Sequence, residues 1–259
     1  MGHYYTDDPP APFYEVPYSD PKREGELRAV TIKDAKKVGA SPSPNEVMGI
    51  IDKPGLLYWK LQMMSDASYQ TIIGLGGDWD TYGWSKSYEL YKELTSSAAN
   101  KGTEIHDAIE HALYGDPFDE EYTEIIKASL DWLIEEGIKP TGIEEVFVSR
   151  DVGIGGKVDV VDDNIPCIVD WKTIDTLNKK LNFYTKDKTP LLAAYSMGLF
   201  GTLDAKLWNV FISRDEPGRI IPKLYTPEEI EWGWKKFYFA YKLWTHEKGY
   251  DPRNWEVPE

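Results

Sequence analysis

The sequence predicts an α/β (α+β) protein in which a mixed central sheet is flanked by helices, in the order α, β, β, β, α, β between residues 102 and 213. Three observations lead there. Three β-type segments follow one another closely, Glu145–Ser149, Gly156–Val161 and Ile165–Thr173, separated by Gly, Asp and Asn turn signals. Helix-period residues precede them at Ile105, Ile109, Ala112 and Leu113, and Pro190 opens a second helix to Leu199 that leads into another apolar strand, Lys206–Ser213. Hydrophobic residues make up 41% and charged residues 28% of the 259, ordinary globular usage that argues against disordered, collagen-like or coiled-coil architectures.

Taken in order, residues 1–27 carry Asp8-Pro9-Pro10-Ala11-Pro12 and further turn formers without a sustained period, and are predicted to be an irregular arm. Residues 28–259 are predicted to form a single domain: a helical extension at 28–99, a core at 100–213, and a strand with a C-terminal helix at 214–259. Pro54 opens a helix through Leu56, Leu57, Trp59, Lys60 and Met63, because proline in the first turn gives up no hydrogen bond. Gly74–Trp84, rich in glycine and aromatics, is predicted to be a loop. Helical spacing resumes at Tyr88–Leu94 and again from Ile105, ending near Gly115. Glu120–Glu136 reads as an amphipathic helix with Ile125, Leu130, Leu133 and Ile134 on its apolar side and Gly137 as its stop. The three β segments then suit an antiparallel meander. Arg219–Leu224 is a fifth strand, and Thr226-Pro227-Glu228-Glu229 is a capping box opening a long aromatic helix to Lys248.

Charge and cysteine narrow the chemistry. With 29 basic and 44 acidic residues the net charge is −15, so bulk charge does not hold a polyanion, and any such partner is held locally or through metal. Residues 101–150 hold four basic and thirteen acidic side chains, whereas 171–190 hold five and two, and 28–60 hold six and three. The single cysteine, Cys167, excludes disulfide frameworks, cysteine zinc sites and an iron–sulfur cluster within one chain. Apolar stretches such as Leu191–Phe200 are about half the length of a bilayer span, and residues 1–20 lack a cationic start followed by an apolar run, so a cytoplasmic protein with no membrane partner is expected.

The residues that carry chemistry lie near the strands. Asp170-Trp171-Lys172 ends the apolar run Ile165–Val169, and period-2 geometry sets Asp170 and Lys172 on one face with Trp171 opposite. Asp159, eleven residues earlier in Gly155-Gly156-Lys157-Val158-Asp159, is spaced so that a hairpin strand brings it beside Asp170. Two adjacent carboxylates repel unless one is protonated or a cation bridges them, and a hard divalent ion such as Mg²⁺ prefers oxygen ligands. Upstream, His106 and Glu110 stand one helical turn apart in Gly102–Glu110, and His106 is a candidate to complete such a metal site.

Gly102–Glu110, Glu145 opening a strand, Gly155–Asp159, Ile168-Val169-Asp170-Trp171-Lys172 and Leu191–Tyr195 together resemble the RecB-type exonuclease branch of the PD-(D/E)XK nuclease superfamily, like the phage recombination exonucleases and the mitochondrial genome maintenance exonuclease. The resemblance spans roughly residues 100–213, and Lys53–Trp59 is similar to the helical N-terminal extension of phage members. It implies a PD-(D/E)XK restriction-endonuclease-like core. It also implies that Asp159, Asp170, His106 and the main-chain carbonyl of Trp171 hold Mg²⁺ or Mn²⁺, as one ion or two, while Lys172 positions or deprotonates the attacking water. Glu145 and Glu110 would serve a second ion or its water shell.

The function implied is metal-dependent DNA exonuclease activity in phage or prokaryotic recombination, repair or processing, within the host cytoplasm if phage-encoded. The partners implied are DNA with a free end and a single-strand-annealing or single-strand-binding protein. A structure-specific endonuclease using the same site, or a non-catalytic nucleic-acid-binding recombination scaffold, are the alternatives. One position departs from the pattern: the family's last motif begins with Gln four residues before Tyr, and here Leu191 stands there, ahead of Tyr195, the expected DNA contact. Lys179, Lys180, Lys186 and Lys188 follow the Asp-x-Lys strand and are expected to track a DNA backbone. Phe183, Tyr184, Trp79 and Trp84 are candidates to stack bases or to pack a loop.

Overall fold

Alternating apolar runs and turn residues build the strands, and the computed structural model of the chain describes residues 3–51, 54–75, 83–174 and 181–256. The chain divides into two units, one made of residues 1–51 with 123–259 and the other of residues 52–122. The first stretch holds β1 (Tyr4–Asp7), β2 (Pro10–Phe13), β3 (Glu15–Pro17), β4 (Leu27–Ala29), α1 (Ile32–Val38), β5 (Ser41–Pro42) and α2 (Pro44–Met48). The 52–122 unit is a helical pair, α3 (Pro54–Gly74) and α4 (Gly83–Tyr114). The chain then forms α5 (Thr123–Glu135), β6 (Gly142–Ser149), β7 (Ile154–Asp162), β8 (Cys167–Ile174), α6 (Leu181–Phe200), β9 (Lys206–Ser213), β10 (Ile220–Leu224) and α7 (Pro227–Lys248).

The larger unit is a mixed α/β structure. Its central sheet has the order β10-β9-β8-β7-β6. β6, β7 and β8 form the expected antiparallel meander, β9 runs parallel to β8, and β10 returns antiparallel to β9. A parallel pair needs a long crossover, and α6 supplies it between β8 and β9. On one face Trp132 of α5 meets Trp171 and Trp208 edge-on, with ring centroids 5.9 and 5.2 Å away. On the other, Leu191, Leu192 and Ala194 of α6 and Phe237, Tyr241 and Trp244 of α7 join Ile154, Val158, Ile168 and Leu207 in the main core. The capping box of α7 forms as expected, with Thr226 Oγ1 accepting from the Glu229 amide at 3.3 Å and Glu229 Oε2 accepting from the Thr226 amide at 2.8 Å.

Four differences from the sequence expectation have physical reasons. The segment expected to be an irregular arm carries β1 to β3 and the start of β4, strands of three or four residues, with prolines in β2 and β3, too short to show a period. β1 lies against β6 and β7, β2 lies against β6, and Arg150 clasps Asp7 at 2.5 Å and the carbonyls of Gly39 and Pro252 at 2.7 and 3.2 Å. α4 is continuous where two helical stretches were expected, because residues 95–101 interrupt the apolar period but contain no glycine or proline to break the helix. α6 begins at Leu181, not Pro190, since an internal proline removes one hydrogen bond without ending a helix already held by its neighbours. The division falls after residues 51 and 122, with 1–51 joined to 123–259, whereas the expected extension and core meet at residue 100. Among the described residues no helix is long and apolar enough to cross a membrane.

Candidate functional site

The β7–β8 ladder runs Asp162↔Cys167, Val161↔Ile168, Val160↔Val169, and one further step sets Asp159 beside Asp170. There a side chain replaces the backbone: the Trp171 amide donates to Asp159 Oδ2 at 2.7 Å. Lys172 Nζ lies 2.6 Å from Asp170 Oδ2 and donates to the Trp171 carbonyl at 3.0 Å, so the Asp170 carboxylate, the Trp171 carbonyl and the Lys172 ammonium meet at one point. From the parallel neighbour, in register with Asp170, Asn209 Nδ2 donates to the same Oδ2 at 2.6 Å. Asn209 Oδ1 accepts from the Tyr225 hydroxyl at 2.7 Å, and Tyr225 is in turn hydrogen-bonded by Thr189.

A third carboxylate comes from β6. The β6–β7 pairing keeps one register on both sides of residues 144 and 159 but skips that pair, leaving Glu144 across from Asp159. Ligand oxygens of the two lie within 4.8 Å of each other. Glu144 has φ +50°, an uncommon backbone for a residue with a side chain, and forms an ion pair with Lys157. Burial is the first cause that pushes the Asp159 carboxyl well above the usual carboxylate range. The charges of Asp170 and Glu144 add to it, against the attraction of Lys172. Burial alone would lower the Lys172 ammonium, but Asp170 and Asp159 outweigh it and hold the group above the ordinary lysine value. Lys172 is therefore a cation, paired with the Asp170 carboxylate.

Of the residues singled out from sequence, the structure brings together Asp159, Asp170, Lys172 and the Trp171 carbonyl. Glu145 is not among them: it is exposed and its side chain folds back alongside Gly142, because register puts residue 144, not 145, across from Asp159. Tyr195, expected to touch DNA, is 8% exposed. Its ring packs edge-on to Phe147 and 2.7 Å from where a Cβ on Gly156 would sit. Burial raises its hydroxyl first, and Asp170 and Asp159 raise it further. Leu191 lies in the main core. His106 and Glu110 are half-buried, one turn apart on α4 in the 52–122 unit. Lys188 is half-buried on α6. Lys179, Lys180 and Trp79, and the side chains of Lys186, Phe183, Tyr184 and Trp84, lie outside the described residues.

Sequence reasoning missed Glu144, Asn209 and Tyr225. A signal for Asn209 was present: it is the one polar residue inside the apolar run Leu207–Ile212, and a buried amide is kept where it has partners. No family model matches the chain, and no curated protein matches it.

Hard oxygen donors and the upward push on Asp159 fit a divalent cation. Asp159 and Glu144, whose carboxylate oxygens lie within 4.8 Å of each other, offer oxygen ligands of the kind Mg²⁺ or Mn²⁺ takes, with the Asp170 carboxylate and the Trp171 carbonyl on the neighbouring strand.

Proposed function

We propose that the chain is a Mg²⁺- or Mn²⁺-dependent DNA exonuclease with a PD-(D/E)XK-type core, acting in DNA recombination, repair or processing. The observation that carries this reading is the meeting of Asp159, Asp170 and Lys172 at the splayed end of β7 and β8. The ordered motifs from Gly102 to Tyr195 support it, with Leu191 as the departure. Asp159, Asp170 and Glu144 would hold the cation, and the Trp171 carbonyl is a further oxygen donor. A bound cation supplies a water of lowered pKa and charge neutralisation at the phosphoryl oxygens. Lys172, kept protonated by the two aspartates, would orient the attacking water and offset charge that builds on the phosphate.

End-labelled linear DNA and covalently closed circles, single- and double-stranded, incubated with Mg²⁺ or Mn²⁺, test the reading. Linear DNA should be degraded and circles left intact. Circles cut as fast as linear DNA would turn the reading to an endonuclease, and no cleavage of any substrate would remove the nuclease. Asp170→Asn and Lys172→Ala should both abolish cleavage, but only Asp170→Asn should weaken Mn²⁺ binding by calorimetry, since it alone removes a ligand. The expectation that His106 is a ligand has its own check. His106→Ala should lose activity at limiting Mn²⁺, and wild-type activity there would return it to the surface of its helix.

A further inference from the structure

Asp170 is held unevenly. Its Oδ2 receives Lys172 Nζ and Asn209 Nδ2, both at 2.6 Å, while among the described residues Oδ1 accepts no hydrogen bond. Asn209 is wholly buried, at 0% exposure. Its amide has a defined sense because its other end is engaged. The Tyr225 hydroxyl donates to Asn209 Oδ1, and Thr189 donates in turn to Tyr225, a bond whose effect is to favour the phenolate. Tyr225 and Thr189 are themselves 3% and 2% exposed, so no bulk water competes along this line. Turning the Asn209 amide over would set its oxygen against the Asp170 carboxylate and its NH₂ against a hydroxyl already donating, which costs both hydrogen bonds.

We propose that Asn209 and Tyr225 are positioning residues that fix the rotation of the Asp170 carboxylate, committing Oδ2 to the strand side and presenting Oδ1 to the cation. This rests on the metal-dependent reading above. The relay runs across three elements, from α6 through the loop after β10 to β9, and reaches the metal-binding carboxylate without touching substrate. A buried asparagine could also be explained as a filler of the β9 interior. That role would affect stability and leave the metal requirement alone.

Two variants separate these. Asn209→Leu keeps volume and removes the amide, and Tyr225→Phe keeps the ring and removes one hydroxyl. Each is measured as full-length protein by Mn²⁺ calorimetry without DNA, by half-saturating Mn²⁺ in a cleavage assay, and by thermal melting to establish that it is folded. Outer-shell partners of metal ligands change affinity by about ten- to a hundredfold, so Asn209→Leu should weaken Mn²⁺ binding by about tenfold or more, and Tyr225→Phe by a smaller factor in the same direction. Cleavage at saturating Mn²⁺ should stay within about twofold of wild type, as expected for a residue that acts through a ligand and not on the reacting atoms.

If Asn209→Leu does not fold, Tyr225→Phe carries the test alone. Wild-type Mn²⁺ affinity in a folded variant, with a wild-type protein that binds Mn²⁺ and cleaves, overturns the positioning role and leaves the nuclease reading intact. A wild-type protein that neither binds Mn²⁺ nor cleaves overturns the nuclease reading, and this role with it.

Discussion

At Asp34 and Asp159 the same functional group is driven in opposite directions by what surrounds it. Asp34 accepts four hydrogen bonds, from Arg28 Nη1 and Nη2 at 2.8 and 2.9 Å and from the Thr31 amide and hydroxyl at 2.9 and 2.7 Å, and the Arg28 guanidinium and then Thr31 hold its carboxyl below the usual range. Asp159 is pushed up by burial first and then by the carboxylates of Asp170 and Glu144. For Asp34 the folded pKa is depressed, so its contribution to stability is present above the ordinary value of about 4 and is lost as pH falls toward the folded one. Asp34→Asn should therefore cost about 2 kcal/mol at pH 7, the scale of charge-assisted hydrogen bonds at a largely buried site. Urea titrations should show the gap between wild type and variant narrowing steadily from pH 4 to pH 2. A gap independent of pH would mean that the charge of Asp34 contributes nothing.

The elements that sequence made legible are those whose signal is local. The meander was marked by turn residues between apolar runs, and Asp170 and Lys172 by alternation within one strand, so these parts of the site were visible before any tertiary structure. Glu144 was not, because the choice between it and Glu145 depends on the register of β6 against β7. Nor was the pairing of Asp170 with Asn209, which depends on a parallel register closed through α6. The two glycines of Gly155-Gly156-Lys157 acquire a reason only in the packed structure. A Cβ on Gly155 would lie 2.5 Å from Tyr5 Cβ, and one on Gly156 would lie 2.7 Å from Tyr195 Cε1 and 2.9 Å from Phe147 Cε1. β7 is thus approached by β1 and by α6 more closely than any side chain permits. Gly156→Ala should destabilise the protein by about 2 kcal/mol through overpacking against two rings that have no room to yield. Thermal melting checks this, and an unchanged midpoint would show that Tyr195 can move aside.

Across the whole molecule, a net charge of −15 opposes a polyanion, and the basic stretches 28–60 and 171–190 are where the sequence offsets it. If the proposed exonuclease reading holds, neutralising Lys179 and Lys180 together should raise the apparent KM and flatten the salt dependence of DNA binding by about one to two units of log–log slope, at about 0.7 to 0.9 per phosphate contact. Reversing the charge of the exposed Glu135 and Glu136 should leave the slope nearly unchanged. Equal behaviour of the two double mutants would remove a local DNA path. The arrangement of the chain also bears on how the protein is made. β1, β2 and β5 rest on β6 and β7, yet the whole 52–122 unit is synthesised between them. The N-terminal strands, which pair among themselves as β2-β1-β5 and β3-β4, therefore emerge from the ribosome before the central sheet that β1, β2 and β5 cover. Closing so long a loop adds little equilibrium cost, since the entropy grows only with the logarithm of length, but it delays the contacts themselves. The shortness of β1 to β3, and the prolines of β2 and β3, suit that interval, because strands of this kind offer a poor template for pairing with another chain.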